Sequence, residues 1–425
     1  MKNPSVLVIG AGVVGASAAL ALVERGLDVT LVEGAPQAGA GTSYANGGGI
    51  TPCHAEPWNP PGTAARLFST LLQRRLPYRL HAHALPGLIG WGSRFLANSR
   101  ARRYYENARR TTRLAIYSGR CLARLRERHP LDYFQVVEGS LELYFSRADF
   151  DRAIELRRRI GDPDIRLQEL SAEQAVALEP TLGPIAGEIH AALLFPEHES
   201  GDARLFSQQV AERARQLGAR LAFGTRVERI ECRRGKFDRL LTERGELAAD
   251  LCVVAAGCQT VELLSPHQMN VPIYPVKGYS ATIDVTDGDP APHLPLLDLK
   301  RRFVTARLGH QLRIAGLADF AGHDLDLHPE RLDVLLEGAA QLLPDLADKI
   351  RTSPNRAWTG LRPMTPDGPP LIGPTPIAGL YLNSGHGAMG WTQACGSAEL
   401  LADLITNRSP AIDTTGLLAE RYLRS

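Results

Sequence analysis

Ser5-Val-Leu-Val-Ile9, Gly10-Ala-Gly-Val-Val-Gly15 and Asp28-Val-Thr-Leu-Val-Glu33 decide the fold. Residues 5–9 are a short β-branched apolar run without polar alternation, the pattern of a parallel strand buried on both faces. From Val13 to Arg25 apolar and small residues recur at helical spacing, and Gly26 is a helix-ending residue. A second buried strand follows from Asp28. Strand, glycine turn, helix and strand in this order make a βαβ unit. Gly10 permits the tight turn, Gly12 lets the backbone approach a pyrophosphate, and Gly15 lets the helix close on the strand. Ala11, Val13 and Val14 complete the turn, and the free N–H groups at the helix start face the phosphates. Glu33 ends the second strand about 20 residues past the glycines, where a carboxylate accepts from ribose hydroxyls.

The totals set limits around that unit. A chain of 425 residues is too long for one ordinary core and predicts two domains. Apolar and charged contents of 44% and 22% are globular values. A net charge of +2 argues against a dedicated nucleic-acid binder. The six cysteines form no CxxC pair and no ligand cluster, so no metal or iron–sulfur site is expected. That cysteine usage suits a reducing, cytoplasmic compartment. The N-terminal apolar run is the first strand rather than a signal peptide. No stretch reaches about 18 uninterrupted apolar residues, so none is expected to span a membrane.

Residues 34–62 read as a long functional loop in which Thr42, Ser43, Asn46, Gly47 and Gly48 offer hydroxyls, an amide and bare backbone. Residues 63–130 read as helical and basic: from Arg66 to Arg128, fifteen arginines face only Glu106 and Glu127. They form either a solvated face paired with acids elsewhere or a surface for anionic lipid or an acidic partner. In the second case Trp91, Phe95, Leu96 and the Leu71-Leu72 pair supply the apolar component. Two strands joined at Glu138-Gly-Ser140 are expected over 134–145, then a helix over Arg147–Ile160 and a capping box at Ser171 and Gln174. The βα pattern returns near residue 186: a helix over 202–217, strands over 220–223 and 225–230, and a buried strand over 248–257 ending Ala255-Ala-Gly257. Strands over 272–283 and 311–315 and a helix over 329–343 follow. A second glycine turn, Gly385-His-Gly-Ala-Met-Gly-Trp-Thr392, then opens a helix over 393–405.

Together the N-terminal fingerprint, Ser43-Tyr-Ala-Asn-Gly-Gly48, the Val227 strand, Ala255-Ala-Gly257, Trp358-Thr-Gly-Leu-Arg-Pro-Met-Thr-Pro-Asp-Gly368 and Asn383-Ser-Gly-His-Gly387 resemble the D-amino acid oxidase and glycine oxidase superfamily of FAD proteins. The nearest likeness is to the bacterial D-amino acid dehydrogenase small-subunit type, over nearly the whole chain. Two departures fall in the loop expected to pass the flavin. Gly49 stands where those enzymes often carry glutamine, and Cys53-His54 replaces a small residue and a tyrosine.

The resemblance implies an α/β flavoenzyme. Its parts are a Rossmann-like FAD-binding domain of the glutathione-reductase type and an α+β substrate domain with a mixed, largely antiparallel sheet. Residues 1–90, 186–265 and 356–425 are assigned to the first, and 91–185 and 266–355 to the second. The cofactor set is Gly10, Ala11, Gly12, Val13, Val14, Gly15, Glu33, Thr42, Ser43, Asn46, Gly47, Gly48, Val227, Ala256, Gly257, Gly387, Ala388, Met389, Gly390, Trp391 and Thr392. Arg362 is the arginine that grips a substrate carboxylate in this superfamily, and a guanidinium fork suits both oxygens at once. Tyr279 is a second candidate donor to that carboxylate, His54 and His386 are candidate pocket residues, and Lys277 is either near the flavin or a solvated strand lysine.

The activity implied is oxidative deamination of a D-amino acid by hydride transfer to FAD, with electrons passed to a quinone or other carrier. Alternatives are a D-proline or hydroxy-D-proline dehydrogenase, an oxidase using oxygen, and an FAD-binding subunit of a heteromeric dehydrogenase. A homo-oligomer and a heteromer both fit. Peripheral contact with the inner face of the cell membrane goes with the quinone route.

Overall fold

A computed structural model describes residues 3–65, 78–353 and 356–423. Arg66, Leu71, Leu72, Arg74 and Arg75 of the basic stretch lie outside the described residues. Ser5–Ile9 is the central strand of a six-stranded sheet, paired in parallel with Asp28–Glu33 on one side and Leu251–Val254 on the other. Arg220–Phe223 extends it in parallel beyond Asp28–Glu33, Leu380–Ser384 lies beyond Leu251–Val254, and antiparallel Leu371–Pro374 closes that edge. The helix Val13–Glu24 is buried almost all round because its small, apolar side chains meet the helices Ala203–Gln216 and Gly390–Ile405 as well as the sheet. The opposite face carries a three-stranded antiparallel sheet, Val227–Arg233, Lys236–Thr242 and Gly245–Ala248.

A second, nine-stranded sheet is mixed and largely antiparallel. Trp358–Met364, Tyr274–Asp284, Gln311–Phe320, Phe303–Arg307 and Leu296–Asp298 pair antiparallel in that order. Leu296–Asp298 then pairs in parallel with Ser140–Tyr144, which is followed antiparallel by Ala191–Phe195 and Gln168–Leu170. Tyr78–Leu80 adds a parallel edge to Gln311–Phe320. Helix Pro329–Leu342 covers one face through Leu335, Leu336 and Ala339.

Several local expectations shift. Residues 134–145 form one strand, Ser140–Tyr144, with a single bridge at Val136; Gly139 at φ +96° is the turn that admits it. Helix Ala101–Arg128 packs on helix Gly390–Ile405 and buries Leu114, Cys121 and Leu122 in the core of the six-stranded layer. Tyr78–Leu80 and Ala191–Phe195, by contrast, pair into the second sheet.

The arginines of that long helix are mostly used within the fold. Arg113 meets Asp413, Arg120 meets Asp164 at 2.7 Å, Arg126 meets Glu199, and Arg128 meets Glu24 at 3.2 Å. Arg109 donates to the carbonyls of Arg159 and Ile160. Trp91 is buried rather than a surface anchor. Its Nε1–H donates to Met364 O at 2.9 Å and its ring stacks on Phe95.

Candidate active site

Five parallel strands of the six-stranded sheet, Ser5–Ile9, Asp28–Glu33, Arg220–Phe223, Leu251–Val254 and Leu380–Ser384, end on the same edge, and the glycine turns at 10–15, 257 and 385–390 each follow one of them. Such an edge, outside the carboxyl ends of parallel strands, is where α/β sheets bind ligands. Gly10 sits at φ +97°, where a Cβ would run into the Ala255 carbonyl, and a Cβ on Gly15 would strike the Gly10 carbonyl. Gly12 caps helix Val13–Glu24 with backbone alone, so the first turn keeps donors for an anion. Ser43 Oγ accepts from the Val13 N–H at 3.0 Å, which brings the 42–48 loop to the helix start. Glu33 ends its strand and ties the first turn to the second: its carboxylate accepts from the N–H groups of Ala11 at 2.7 Å and Ala35 at 2.9 Å.

On the same edge, Ser384 Oγ donates to Gly257 O at 3.2 Å and shares a hydrogen bond with Thr260 at 2.8 Å. Gly387, at φ +56°, opens the short turn Gly387–Met389, and Gly390–Ile405 follows without a side-chain cap. Ala388 is exposed. The side-chain amide of Asn383, Nε2 of His386 and Oε1 of Gln393 are buried there without a hydrogen-bond partner. A cradle of bare backbone, an uncapped helix start and orphaned polar groups fit an extended dinucleotide carrying a polar ring system. Val227 lies in the small antiparallel sheet, packed under the first layer. Trp391 turns away from the edge into the core, donating to Gly201 O and packing on Tyr133 and Phe206.

The loop 42–48 bridges the two sheets. Thr42 Oγ1 donates to Leu361 O at 2.8 Å, Ser280 Oγ to Ala45 O at 2.7 Å, and Arg313 Nη1 to Asn46 O at 2.9 Å. Asn46 Oδ1 accepts from the Gly48 N–H, and a Cβ on Gly47 would enter Val304. Thr392 Oγ1 then accepts from the Thr51 N–H at 3.0 Å. The loop therefore passes from the cradle across the sheet face that carries Val276, Gly278, Ser280 and Thr282.

Arg362 lies on that face, opposite Val276 in register, with its guanidinium over Gly278. It donates to Leu317 O at 3.0 Å and Gly316 O at 3.5 Å and sits 5.4 Å from the Trp58 ring centroid. No carboxylate pairs with it among the described residues, and burial pulls its pKa down to about 10. Trp58 and Tyr78 lie beside this position and were not singled out from the sequence, their only signal being aromatic residues within and beyond the loop read as functional; Trp91, expected as a surface anchor, packs here instead.

Tyr279 does not join Arg362. Strand alternation turns it to the other face, where its hydroxyl donates to Asp319 Oδ2 at 3.1 Å and burial pushes its pKa up. Lys277 points the same way and is neither solvated nor on the loop side. It is fully buried, with Nζ on Asp324 at 2.7 Å and Asp326 O at 2.8 Å. His54 belongs to a charged cluster: its Nδ1 accepts from Arg157 at 2.9 Å, and Glu56 and Glu142 lie 3.5 and 3.7 Å away. Burial opposes the Arg157 charge, but those two carboxylates hold it more firmly protonated than usual. His386 is buried at the start of the second glycine turn, and burial lowers its pKa to about 3, so its ring is neutral at working pH.

The family model for FAD dependent oxidoreductases, DAO, matches residues 5–404. The D-amino acid dehydrogenases of Paramagnetospirillum magneticum and Sinorhizobium medicae are 39% and 36% identical, over 98% of this chain and 98% and 99% of theirs. Among solved structures, the fold is shared with L-proline dehydrogenase from P. horikoshii (TM-score 0.74, 19% identity, 99% of this chain and 96% of that one). Glycine oxidase from Bacillus cereus shares it too (TM-score 0.73, 22% identity, 100% and 99%). The chain belongs to the DAO family of FAD-dependent oxidoreductases, with FAD as its cofactor.

Proposed function

We propose that the protein is an FAD-dependent dehydrogenase of D-amino acids, yielding an imine that water hydrolyses to a 2-oxo acid and ammonia. The observation that carries this reading is Arg362: a half-buried guanidinium with backbone contacts and no carboxylate partner among the described residues, on the sheet face crossed by the 42–48 loop. Its unused N–H groups suit a substrate carboxylate, and the Trp58 ring beside it restricts the guanidinium's orientation. The names of the curated relatives support an amino acid of D configuration.

Bound FAD supplies a two-electron acceptor for the substrate Cα–H. The chain's tasks are positioning and charge stabilisation. The cradle of Gly10, Gly12 and Gly15 with Glu33 would hold the pyrophosphate and ribose, and the uncapped start of helix Gly390–Ile405 is suited to developing negative charge. A neutral His386 leaves no competing cation at that turn. Electrons pass on to a quinone or other carrier, with peripheral membrane contact for the quinone route.

On this reading residues 1–90, 186–265 and 356–425 form the FAD-binding domain and 91–185 with 266–355 the substrate domain. The packing of helix Ala101–Arg128 beside helix Gly390–Ile405 supports counting it with the first, and the pairing of Tyr78–Leu80 and Ala191–Phe195 supports counting them with the second. The test is a dye-reduction screen of D- and L-amino acids, prolines and hydroxyprolines with the purified FAD-loaded protein. Turnover of D-amino acids above their L-enantiomers is expected; no turnover of any amino or imino acid refutes the reading.

A further inference from the structure

Helix Leu85–Ala97 carries two apolar stripes. Leu88, Trp91 and Phe95 turn inward to the cluster of Tyr274, Val276, Ala318 and Met364 beside Arg362. Leu85, Ile89 and Leu96 recur at helical spacing on a second stripe and face solvent, 43%, 73% and 37% exposed. Exposed large aliphatic residues in such a row mark an interaction surface rather than an ordinary scatter. Along the chain, the charge beside them has one sign. From Pro57 to Tyr105 the chain holds eight arginines and no acidic residue. Arg94, Arg100, Arg102 and Arg103, which flank the end of the helix, are exposed, and only Arg102 meets a carboxylate, that of Glu106, among the described residues.

We infer that this stripe docks on an anionic phospholipid bilayer. A surface of uniform negative charge matches a segment that has cations and no acids, whereas a protein partner carries both signs and selects both in return. Bilayer binding needs only aliphatic side chains at the acyl boundary and cations among the headgroups. The inference rests on the functional reading above and gives it a direction: docking sets the membrane against the helix whose inner face borders the Arg362 site, the side from which a lipid-borne electron acceptor arrives.

The test uses the FAD-loaded protein and sedimentation with vesicles of phosphatidylglycerol and phosphatidylcholine, or of phosphatidylcholine alone. Binding to the anionic vesicles at low salt and release at high salt are expected. Ile89→Asp and Leu85→Asp should each weaken it about tenfold or more, the factor that burial of one aliphatic side chain is worth. Val137→Asp, at an exposed apolar residue outside the stripe, should bind as the wild type does, and all three variants should keep dye-linked turnover. Wild-type protein that turns over amino acids yet stays in the supernatant at low salt overturns the inference, as does unchanged binding by both aspartate variants. Vesicle binding without turnover of any amino acid leaves the surface standing and refutes the functional reading instead.

Discussion

Arg362→Ala separates carboxylate binding from every other task of the site. In the structure the guanidinium uses two N–H groups on the carbonyls of Leu317 and Gly316, and no carboxylate among the described residues neutralises it. Desolvation lowers its pKa, which a bound carboxylate would offset. Removing one side of a buried charged contact costs about 2–5 kcal/mol, which lowers kcat/KM by a factor of about 30 to about 5,000. Arg362→Lys should recover only part, since a point charge replaces a fork. Gly278→Ala should imitate the loss with the charge retained, because the added Cβ occupies the guanidinium's place. The assay is steady-state dye reduction, with flavin absorbance confirming that FAD stays bound. A thermal melt of the variant beside the assay separates loss of the guanidinium from a folding defect, since the Leu317 and Gly316 carbonyls lose their donor as well. Near-normal kinetics of Arg362→Ala on every substrate would place the carboxylate elsewhere and refute the reasoning.

Two other outcomes follow from the same geometry. Tyr279→Phe removes one donor to Asp319 on the far face of the sheet, so thermal stability should fall by about 1 kcal/mol while KM holds within about threefold; a KM rise like that of Arg362→Ala contradicts that placement. His386 has a pKa near 3 when folded against 6.5 unfolded, so between those values the unfolded state binds more protons and stability falls as pH drops. His386→Gln should remove about one proton's worth of that slope, about 1.4 kcal/mol per pH unit, from denaturant melts taken between pH 6 and pH 4; an unchanged slope contradicts it.

Local signals made much of the fold legible. The βαβ start, the Arg147–Ile160 helix and the Ser171–Gln174 capping box depend on neighbours within a few residues, and the structure has them where the sequence indicates. Facing and pairing depend on distant partners. Tyr279 and Arg362 sit on opposite faces because of strand register, which no local pattern reports. The arginine excess disperses because Arg126 and Arg128 find Glu199, Glu24 and Glu399 far along the chain. Helix Leu85–Ala97 buries Trp91 and exposes Ile89, the reverse of the expected anchor, since Trp91 finds an indole acceptor at Met364 O.

Anaerobic mixing of the purified protein with amino acids tests the proposed activity most directly. FAD should copurify, and its visible bands should bleach on adding a D-amino acid, in Arg362→Ala only at much higher concentration. A flavin-bearing protein whose bands no D-amino acid, L-amino acid or proline bleaches would contradict it.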